Sequence, residues 1–253
     1  MRIIRFEQVG RARYGVLEDG TVYELAGDLF DGPSRGDQVA PLDDVRLLAP
    51  VEPGTIICVG NNYDALLEAK GLTRPEIPNV FLKAVNALVG PEEDVIKPSS
   101  NRFEFEGELT LVISRTASKV TAAKWRDYVL GFTIGNDLSA RDWQQGDTQW
   151  WRAKSSDTFC PVGPWIETEL ADPEDVRLRT LVNGEVKQDT STTDLTFKLG
   201  EVLEIITASM TLQPGDIVLT GTPPGFTPLQ DGDVVEVEID GIGTLRNTVR
   251  EER

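Results

Sequence analysis

The stretch at residues 104–113 reads Glu-Phe-Glu-Gly-Glu-Leu-Thr-Leu-Val-Ile, and its alternation of acids with apolar residues decides how the chain folds. Successive side chains of a β-strand point to opposite faces, so one uninterrupted strand places Glu104, Glu106 and Glu108 on the same face. Three aligned carboxylates repel one another, which a strand leading into a buried apolar run should avoid. The stretch therefore predicts a strand from roughly 103 to 114 whose acidic face binds a cation.

The absence of histidine from the whole chain restricts which cation this is. Zn²⁺ and Cu²⁺ favour imidazole or thiolate ligands, whereas Mg²⁺, Mn²⁺ and Ca²⁺ favour carboxylate oxygens. Asp137 follows a predicted strand at Val129–Asn136 and is the natural further ligand beside Glu106 and Glu108. These residues favour an Mg²⁺ or Mn²⁺ site, in which Ca²⁺ could substitute in a crystal. The alternative is a solvated acidic face that binds no metal.

The charge balance excludes several classes of partner. The chain has 42 acidic and 25 basic residues, for a formal net charge of −17. Nucleic acids and anionic membranes require a basic surface, so neither is an expected partner. The beginning of the chain has no long apolar run, and we expect no signal peptide and no membrane span. Cys58 and Cys160 lie in apolar surroundings and are predicted free and buried, as suits a reducing, cytoplasmic location.

Short strands separated by turn residues predict a mostly β fold of the α+β class with a few helices. Residues 1–50 read as a small β-rich N-terminal subdomain, and residues 51–253 as the main domain. In the main domain, Asn183-Gly184 is a strong signal for a hairpin between two short strands. A helix is predicted over 62–70, where Gly71 ends it.

Two loops concentrate polar groups near the predicted metal site. Lys154 stands alone among the small polar residues of 153–159, and Thr222 belongs to a Gly/Pro loop at 220–226. We predict that Lys154 contacts substrate and that its pKa falls beside a cation, so that it can donate or accept a proton. The alternative is a structural ion pair with a nearby aspartate. Thr222 is placed to hold an enol or carboxylate oxygen, unless it is only a turn residue.

Arg141 and Gln144 follow Asp137 by four and seven residues, which is one and two turns if this segment is helical. A guanidinium can donate two parallel hydrogen bonds to a carboxylate, so Arg141 is predicted to bind substrate. Gln144 is predicted to bind substrate beside it. For Arg141, a salt bridge to Asp142 or Asp147 is an equally good interpretation.

Ordered motifs across most of the chain resemble the fumarylacetoacetate hydrolase family. In chain order they are Cys58-Val59-Gly60-x-Asn62-Tyr63, Phe81-Leu82-Lys83, Glu106-x-Glu108, Asn136-Asp137-x-Ser139-Ala140-Arg141-Asp142-x-Gln144, Lys154-Ser155-x-Asp157-Thr158-Phe159, Val182-Asn183-Gly184-Glu185, Leu212-x-Pro214-Gly215-Asp216 and Thr220-Gly221-Thr222-Pro223. Each motif alone is weak, but the ordered set is specific.

The resemblance implies a mixed β-sandwich roll with a small N-terminal domain, usually assembled as a homodimer. It also implies an Mg²⁺ or Mn²⁺ ion held by three carboxylates, which fall on Glu106, Glu108 and Asp137. Tyr63 and Lys83 belong to its motifs, and we predict that both bind substrate.

The chain departs from the family pattern at the water-activating pair. Most hydrolytic and decarboxylating members carry a His and a Glu on a lid helix, three and six residues after the Tyr. These positions are Leu66 and Ala69 here, so the usual general base is missing. Glu68 is one residue out of register, about 100° round a helix, and replaces the base only if the lid is shifted.

Three functions follow from this combination. We favour a metal-dependent enzyme that stabilises the enolate of a 2-oxo acid or β-dicarbonyl compound without obligatory hydrolysis: an isomerase or tautomerase, decarboxylase, lyase or cyclase. The first alternative is a carbon–carbon bond hydrolase of the fumarylacetoacetate or acylpyruvate type, with Glu68, Lys154 or a metal-bound hydroxide as base. The second is an inactive relative that only binds a ligand.

Overall fold

β-strands dominate the computed structural model, which describes residues 1–252, as the sequence predicts. The strands are β1 Arg2–Gln8, β2 Arg11–Glu18, β3 Thr21–Ala26, β4 Ser34–Pro41, β5 Arg46–Leu48, β6 Ile56–Gly60, β7 Asn79–Lys83, β8 Leu88–Val89, β9 Asp94–Lys97, β10 Phe103–Glu104, β11 Gly107–Ile113, β12 Val129–Asn136, β13 Ser139–Ala140, β14 Cys160–Glu167, β15 Arg177–Val182, β16 Glu185–Ser191, β17 Ile217–Leu219, β18 Val234–Ile239 and β19 Gly243–Glu251. The α-helices are α1 Asp64–Ala69, α2 Arg141–Gly146, α3 Trp151–Ser155 and α4 Leu199–Ser209.

Two large sheets form the mixed β-sandwich roll. The first has the strand order β4-β3-β2-β1-β14-β12-β11-β17-β6-β7, and the second the order β16-β15-β18-β19-β9. Most neighbours are antiparallel, but β17 pairs with β6 and β19 with β9 in parallel. A continuous apolar core joins Leu109 and Leu111 of the first sheet to Leu178 and Val237 of the second. Helix α4 packs its apolar face into the same core.

The N-terminal strands extend the first sheet rather than form a sheet of their own. Strand β1 pairs with β2 on one side and with β14 on the other, where Ile3 faces Ile166. A small separate core consists of Ile4 and Phe6 of β1, Leu17 of β2 and Val22 of β3. The division of the chain after residue 50 stays a prediction, because the two parts share backbone hydrogen bonds.

The acidic strand is interrupted, which corrects the uninterrupted strand predicted from 103 to 114. Strand β10 ends at Glu104 and pairs with β13, and β11 begins only at Gly107. Between them, the Glu106 N–H donates to Asn136 Oδ1 at 2.9 Å instead of to a neighbouring strand. Phe105 therefore packs in a different core cluster from Leu109. The interruption is set by Asn136, which is distant in sequence from Glu106. The alternation of residues 104–113 therefore could not predict it.

Local turn signals were more reliable. Asn183 and Gly184 both adopt positive φ, 52° and 79°, and join β15 to β16 as predicted. Gly71 follows α1 with φ 65°.

Residues 122–128 form a 3₁₀ helix, and the Thr121 side chain does not cap it. Strand β4 was missed, because its polar and Gly-containing sequence resembles a loop. Within residues 1–252 no helix is long and apolar enough to cross a membrane.

Candidate active site

Three buried carboxylates meet where β11 and β12 pair. Gly107 lies opposite Asn136, so this register brings Glu106 and Glu108 beside Asp137, the residue that follows β12. One ligand oxygen from each carboxylate lies within 4.8 Å of the others. Gly107 is required between the two glutamates, because a Cβ atom there would overlap the Thr180 hydroxyl of the second sheet. The fold thus assembles the three carboxylates that the sequence singled out, which we call the carboxylate trio.

Two buried lysines neutralise part of the trio. Lys154 Nζ lies 2.5 Å from both Glu106 Oε2 and Asp137 Oδ2. Lys83 Nζ lies 2.5 Å from Asp137 Oδ1 and also donates to the Leu138 carbonyl at 3.2 Å. Burial lowers the pKa of Lys154, but the charges of Asp137 and Glu106 outweigh it and raise this pKa above its ordinary value. The predicted fall of the Lys154 pKa concerns the side chain beside a bound cation, so it stays a prediction.

The two glutamates of the trio have opposite electrostatic environments. Burial raises the pKa of Glu106, but the charges and hydrogen bonds of Arg141 and Lys154 outweigh it and lower this pKa well below its usual range. Burial raises the pKa of Glu108, and the negative charges of Asp137 and Glu106 raise it further. Glu108 accepts the Gly221 N–H at 2.7 Å. No lysine or arginine nitrogen among residues 1–252 lies within 4.0 Å of the Glu108 carboxylate.

This arrangement fits a hard divalent cation. Three clustered carboxylates supply the oxygen ligands that Mg²⁺ and Mn²⁺ prefer. Burying an ionised carboxylate without a counter-ion is costly, and Glu108 is in that position. Glu104 does not belong to this cluster of ligand oxygens, and its carboxylate pairs with Arg102 and Arg141 at 2.6 and 2.9 Å. The residues present therefore suit a metal ion held by Glu106, Glu108 and Asp137.

Arg141 links the trio to the wall of the site. Its Nε donates to Glu104 at 2.9 Å, its Nη2 pairs with Glu106, and its Nη1 donates to Gln144 Oε1 at 2.8 Å. The guanidinium also lies over the Phe226 ring, 4.7 Å from its centroid. The salt bridges to Asp142 or Asp147 considered as alternatives are wrong. Asp142 instead accepts from Ser100 at 2.5 Å, and Asp147 pairs with Arg152.

A cavity of about 420 Å³ opens beside the trio and has the size of a small-molecule site. Apolar walls come from Leu66, Phe81, Trp150 and Phe226. The predicted site residues that line it are Glu106, Glu108, Asp137, Arg141, Gln144, Lys154 and Thr222. The Thr222 hydroxyl also accepts a hydrogen bond from Gln188 Nε2 at 2.8 Å, which fixes its loop.

Three predicted residues lie outside the cavity wall. Glu68 is exposed on α1, and the cavity is lined by Leu66 of that helix instead. Tyr63 is fully buried in the core, and its hydroxyl has no hydrogen-bond partner among the described residues. Burial, followed by the charge of Glu108, raises the Tyr63 pKa. Lys83 donates a hydrogen bond to Asp137 Oδ1 and does not line the cavity. The geometry therefore gives no support to substrate contacts by these three side chains.

Lys70 is a cavity residue that sequence reasoning missed. It directly follows α1, and its Nζ donates to Asn61 Oδ1 at 2.7 Å. Both residues line the cavity. The signal was present in the sequence, because Lys70 lies four residues after Leu66 and so shares its helical face. Glu68, two residues after Leu66, points in a different direction.

Comparison with known proteins places the chain in a family. Residues 55–250 match the family described as fumarylacetoacetate (FAA) hydrolase, C-terminal, and residues 1–50 match an Rv2993c-like N-terminal family. The first match spans well over half of the chain. The chain belongs to the fumarylacetoacetate hydrolase family, as the ordered motifs predicted.

Two sequence relatives come from Mycobacterium tuberculosis and Bos taurus. Protein Rv2993c from Mycobacterium tuberculosis is 50% identical over 238 residues, which cover 93% of this chain and 90% of the relative. The mitochondrial oxaloacetate tautomerase FAHD2A from Bos taurus is 39% identical over 224 residues, covering 83% of this chain and 71% of the relative.

Similar solved structures include an isomerase and a hydrolase. A crystal structure of 2-hydroxyhepta-2,4-diene-1,7-dioate isomerase from Mycobacterium marinum matches with a TM-score of 0.92 and 45% identity, covering 100% of this chain and 99% of the other. Maleylpyruvate hydrolase from Sphingobium sp. SYK-6, in complex with manganese(II) and pyruvate, matches with a TM-score of 0.84 and 30% identity over 100% of both chains.

Proposed function

We propose that the protein is an Mg²⁺- or Mn²⁺-dependent isomerase or tautomerase that acts through the enol form of a 2-oxo acid or β-dicarbonyl compound. The observation that carries this proposal is the carboxylate trio at one end of a cavity whose lid helix presents Leu66 where hydrolytic relatives present a base. The isomerase and tautomerase activities named for the M. marinum and bovine relatives support this class of reaction.

Glu106, Glu108 and Asp137 would hold the metal ion. A bound divalent cation withdraws electrons from a carbonyl oxygen and favours enolisation of the carbon beside it. The Sphingobium relative, crystallised with manganese(II) and pyruvate, supports both the cation and a 2-oxo acid as ligand.

The chain's own residues would orient the substrate and control protons. Lys154 lines the cavity beside the trio, so its Nζ would donate a hydrogen bond or a proton to a substrate oxygen. Thr222 and Gln144 contribute polar groups to the same wall. Leu66, Phe81 and Trp150 add apolar groups to this wall, and these would limit the access of water to the reacting carbon.

A carbon–carbon bond hydrolase is the second candidate, favoured by the named activity of the Sphingobium structure. Hydrolysis needs a general base for water, and the exposed Glu68 does not line the cavity. Isomerisation needs no activated water, which is why we rank it first. The homodimer and the cytoplasmic location are retained as predictions from the sequence.

The test is an assay of enol–keto interconversion on a panel of 2-oxo acids and 1,3-dicarbonyl compounds, followed by ultraviolet absorbance with and without Mn²⁺. Product analysis by chromatography runs in parallel to detect carbon–carbon cleavage. We expect metal-dependent interconversion that is lost in Glu108→Gln, with little cleavage. Interconversion at the same rate in the presence of a chelator would contradict the proposal.

A further inference from the structure

The cavity carries one cation that no carboxylate neutralises. Four basic residues line it: Lys70, Arg102, Arg141 and Lys154. Arg102 and Arg141 pair with Glu104, and Lys154 pairs with Glu106 and Asp137. Among residues 1–252 no carboxylate oxygen lies within 4.0 Å of the Lys70 ammonium. Lys70 therefore differs from the other three in being available to an anion inside the cavity.

The backbone of Lys70 is fixed at the end of helix α1. The Lys70 N–H donates to the carbonyls of Leu66 and Leu67, both at 3.2 Å, and closes the last turn of α1. Its ammonium is held toward the cavity by Asn61 Oδ1 at 2.7 Å. An ammonium has three donors, and Asn61 uses one of them, so two remain for a ligand.

Lys70 lies at the exposed edge of the cavity, whereas the trio is buried. Burial and the positive charge of Arg141 lower the Lys70 pKa, and the negative charges of Glu106 and Glu104 act against this shift. The trio, in contrast, is the negative end of the same cavity. A ligand with one group at the buried trio would extend its other end toward the mouth of the cavity, where Lys70 lies.

We propose that Lys70 is a specificity-determining residue that binds a second carboxylate, at the end of the substrate remote from the carboxylate trio. This inference rests on the proposed function, because it assumes that the oxo-acid end binds at the trio. It predicts that the enzyme prefers 2-oxo dicarboxylates to 2-oxo monoacids of the same chain length. A surface lysine that serves only solubility would give no such preference.

The experiment measures binding by calorimetry to Mn²⁺-loaded protein, with two matched ligand pairs. 2-Oxoglutarate is compared with 2-oxopentanoate, and 2-oxoadipate with 2-oxohexanoate; each pair differs only in a terminal carboxylate replacing a methyl group. We expect the wild type to bind at least one dicarboxylate about tenfold or more tightly than its monoacid partner, as a charge-assisted hydrogen bond provides.

Lys70→Met should reduce this preference to about twofold or less while the monoacid affinity stays unchanged, and Lys70→Arg should retain most of it. The control is Lys124→Met, which makes the same charge change at an exposed lysine outside the cavity and should behave as wild type. Thermal unfolding of all three variants verifies that they fold.

Two results would overturn the assignment of Lys70 and are distinguishable from failure of the proposed function. If the monoacids bind but Lys70→Met leaves the dicarboxylate preference intact, or weakens both ligands equally, only the Lys70 assignment is wrong. If neither kind of acid binds the metal-loaded wild type, the proposed function fails, and the assignment fails with it.

Discussion

At the scale of single residues, Glu108 differs from its two neighbours in the trio. Glu106 and Asp137 each have cationic partners, whereas Glu108 has only the Gly221 N–H. From the sequence alone, the clustering of three carboxylates predicts that Glu106→Ala raises the stability of the metal-free protein or lowers it little, because mutual repulsion decreases. The structure changes this expectation for Glu106, because Arg141 and Lys154 depend on it.

We predict opposite effects for two isosteric substitutions in the metal-free protein. Glu108→Gln should leave the free energy of unfolding unchanged or raise it, because burial and the acidic neighbours disfavour the ionised form of Glu108 and glutamine carries no charge. Glu106→Gln should lower it by about 3 kcal/mol, because it leaves buried cations without their partner. Urea unfolding in a chelator measures both, and Mn²⁺ titration should show binding lost in both. A loss of stability in Glu108→Gln as large as that in Glu106→Gln would contradict this account.

At the scale of elements, the segments set by local chemistry could be predicted and those set by distant contacts could not. The Asn183-Gly184 turn and the Gly71 helix end depend on residues that adopt positive φ, which the sequence shows directly. The break between β10 and β11 depends on Asn136, thirty residues further along the chain. For the site, the alternating acids and the resemblance both predict the trio, and an ion pair of Lys154 with an aspartate is one of the two predicted alternatives. That Glu106 shares Lys154, and that Lys83 pairs with Asp137, depends on tertiary structure.

Helix α1 is the element that should decide between isomerisation and hydrolysis. We predict poor cleavage of acylpyruvates by the wild type, about 10²–10⁴-fold below relatives that carry a positioned base. Because Glu68 is exposed, Glu68→Gln should leave the residual rate unchanged. Leu66→His combined with Ala69→Glu restores the family pair on one helical face and should raise cleavage at least about tenfold. Pyruvate release measures all three. Efficient cleavage that Glu68→Gln abolishes would show that Glu68 is the base.

At the scale of the whole molecule, the trio joins parts of the chain that are distant in sequence. Its residues connect β11 and β12 at the centre of the first sheet, and Gly221, after β17, donates to Glu108. The sheet continues through β14 into the N-terminal strands. A cation bound here should therefore stabilise the native fold as a whole rather than a single loop.

We predict that Mn²⁺ at about 100 times its dissociation constant raises stability by about 2.7 kcal/mol. For a chain of this size, this corresponds to a rise in Tm of roughly 5–10 °C. Differential scanning calorimetry with Mn²⁺ and with a chelator measures the shift, and Glu108→Gln is the control that should not shift. An equal shift in Glu108→Gln would place the binding site elsewhere.

The central claim is metal-dependent enolisation without obligatory cleavage, and proton NMR in deuterium oxide tests it most directly. A 2-oxo acid incubated with Mg²⁺-loaded protein should lose its signal at the carbon beside the ketone, because enolisation exchanges that proton for deuterium. The account predicts exchange much faster than any release of a cleavage product, and loss of exchange in Glu108→Gln and in chelator. Cleavage that keeps pace with exchange, or exchange that persists without metal, would contradict it.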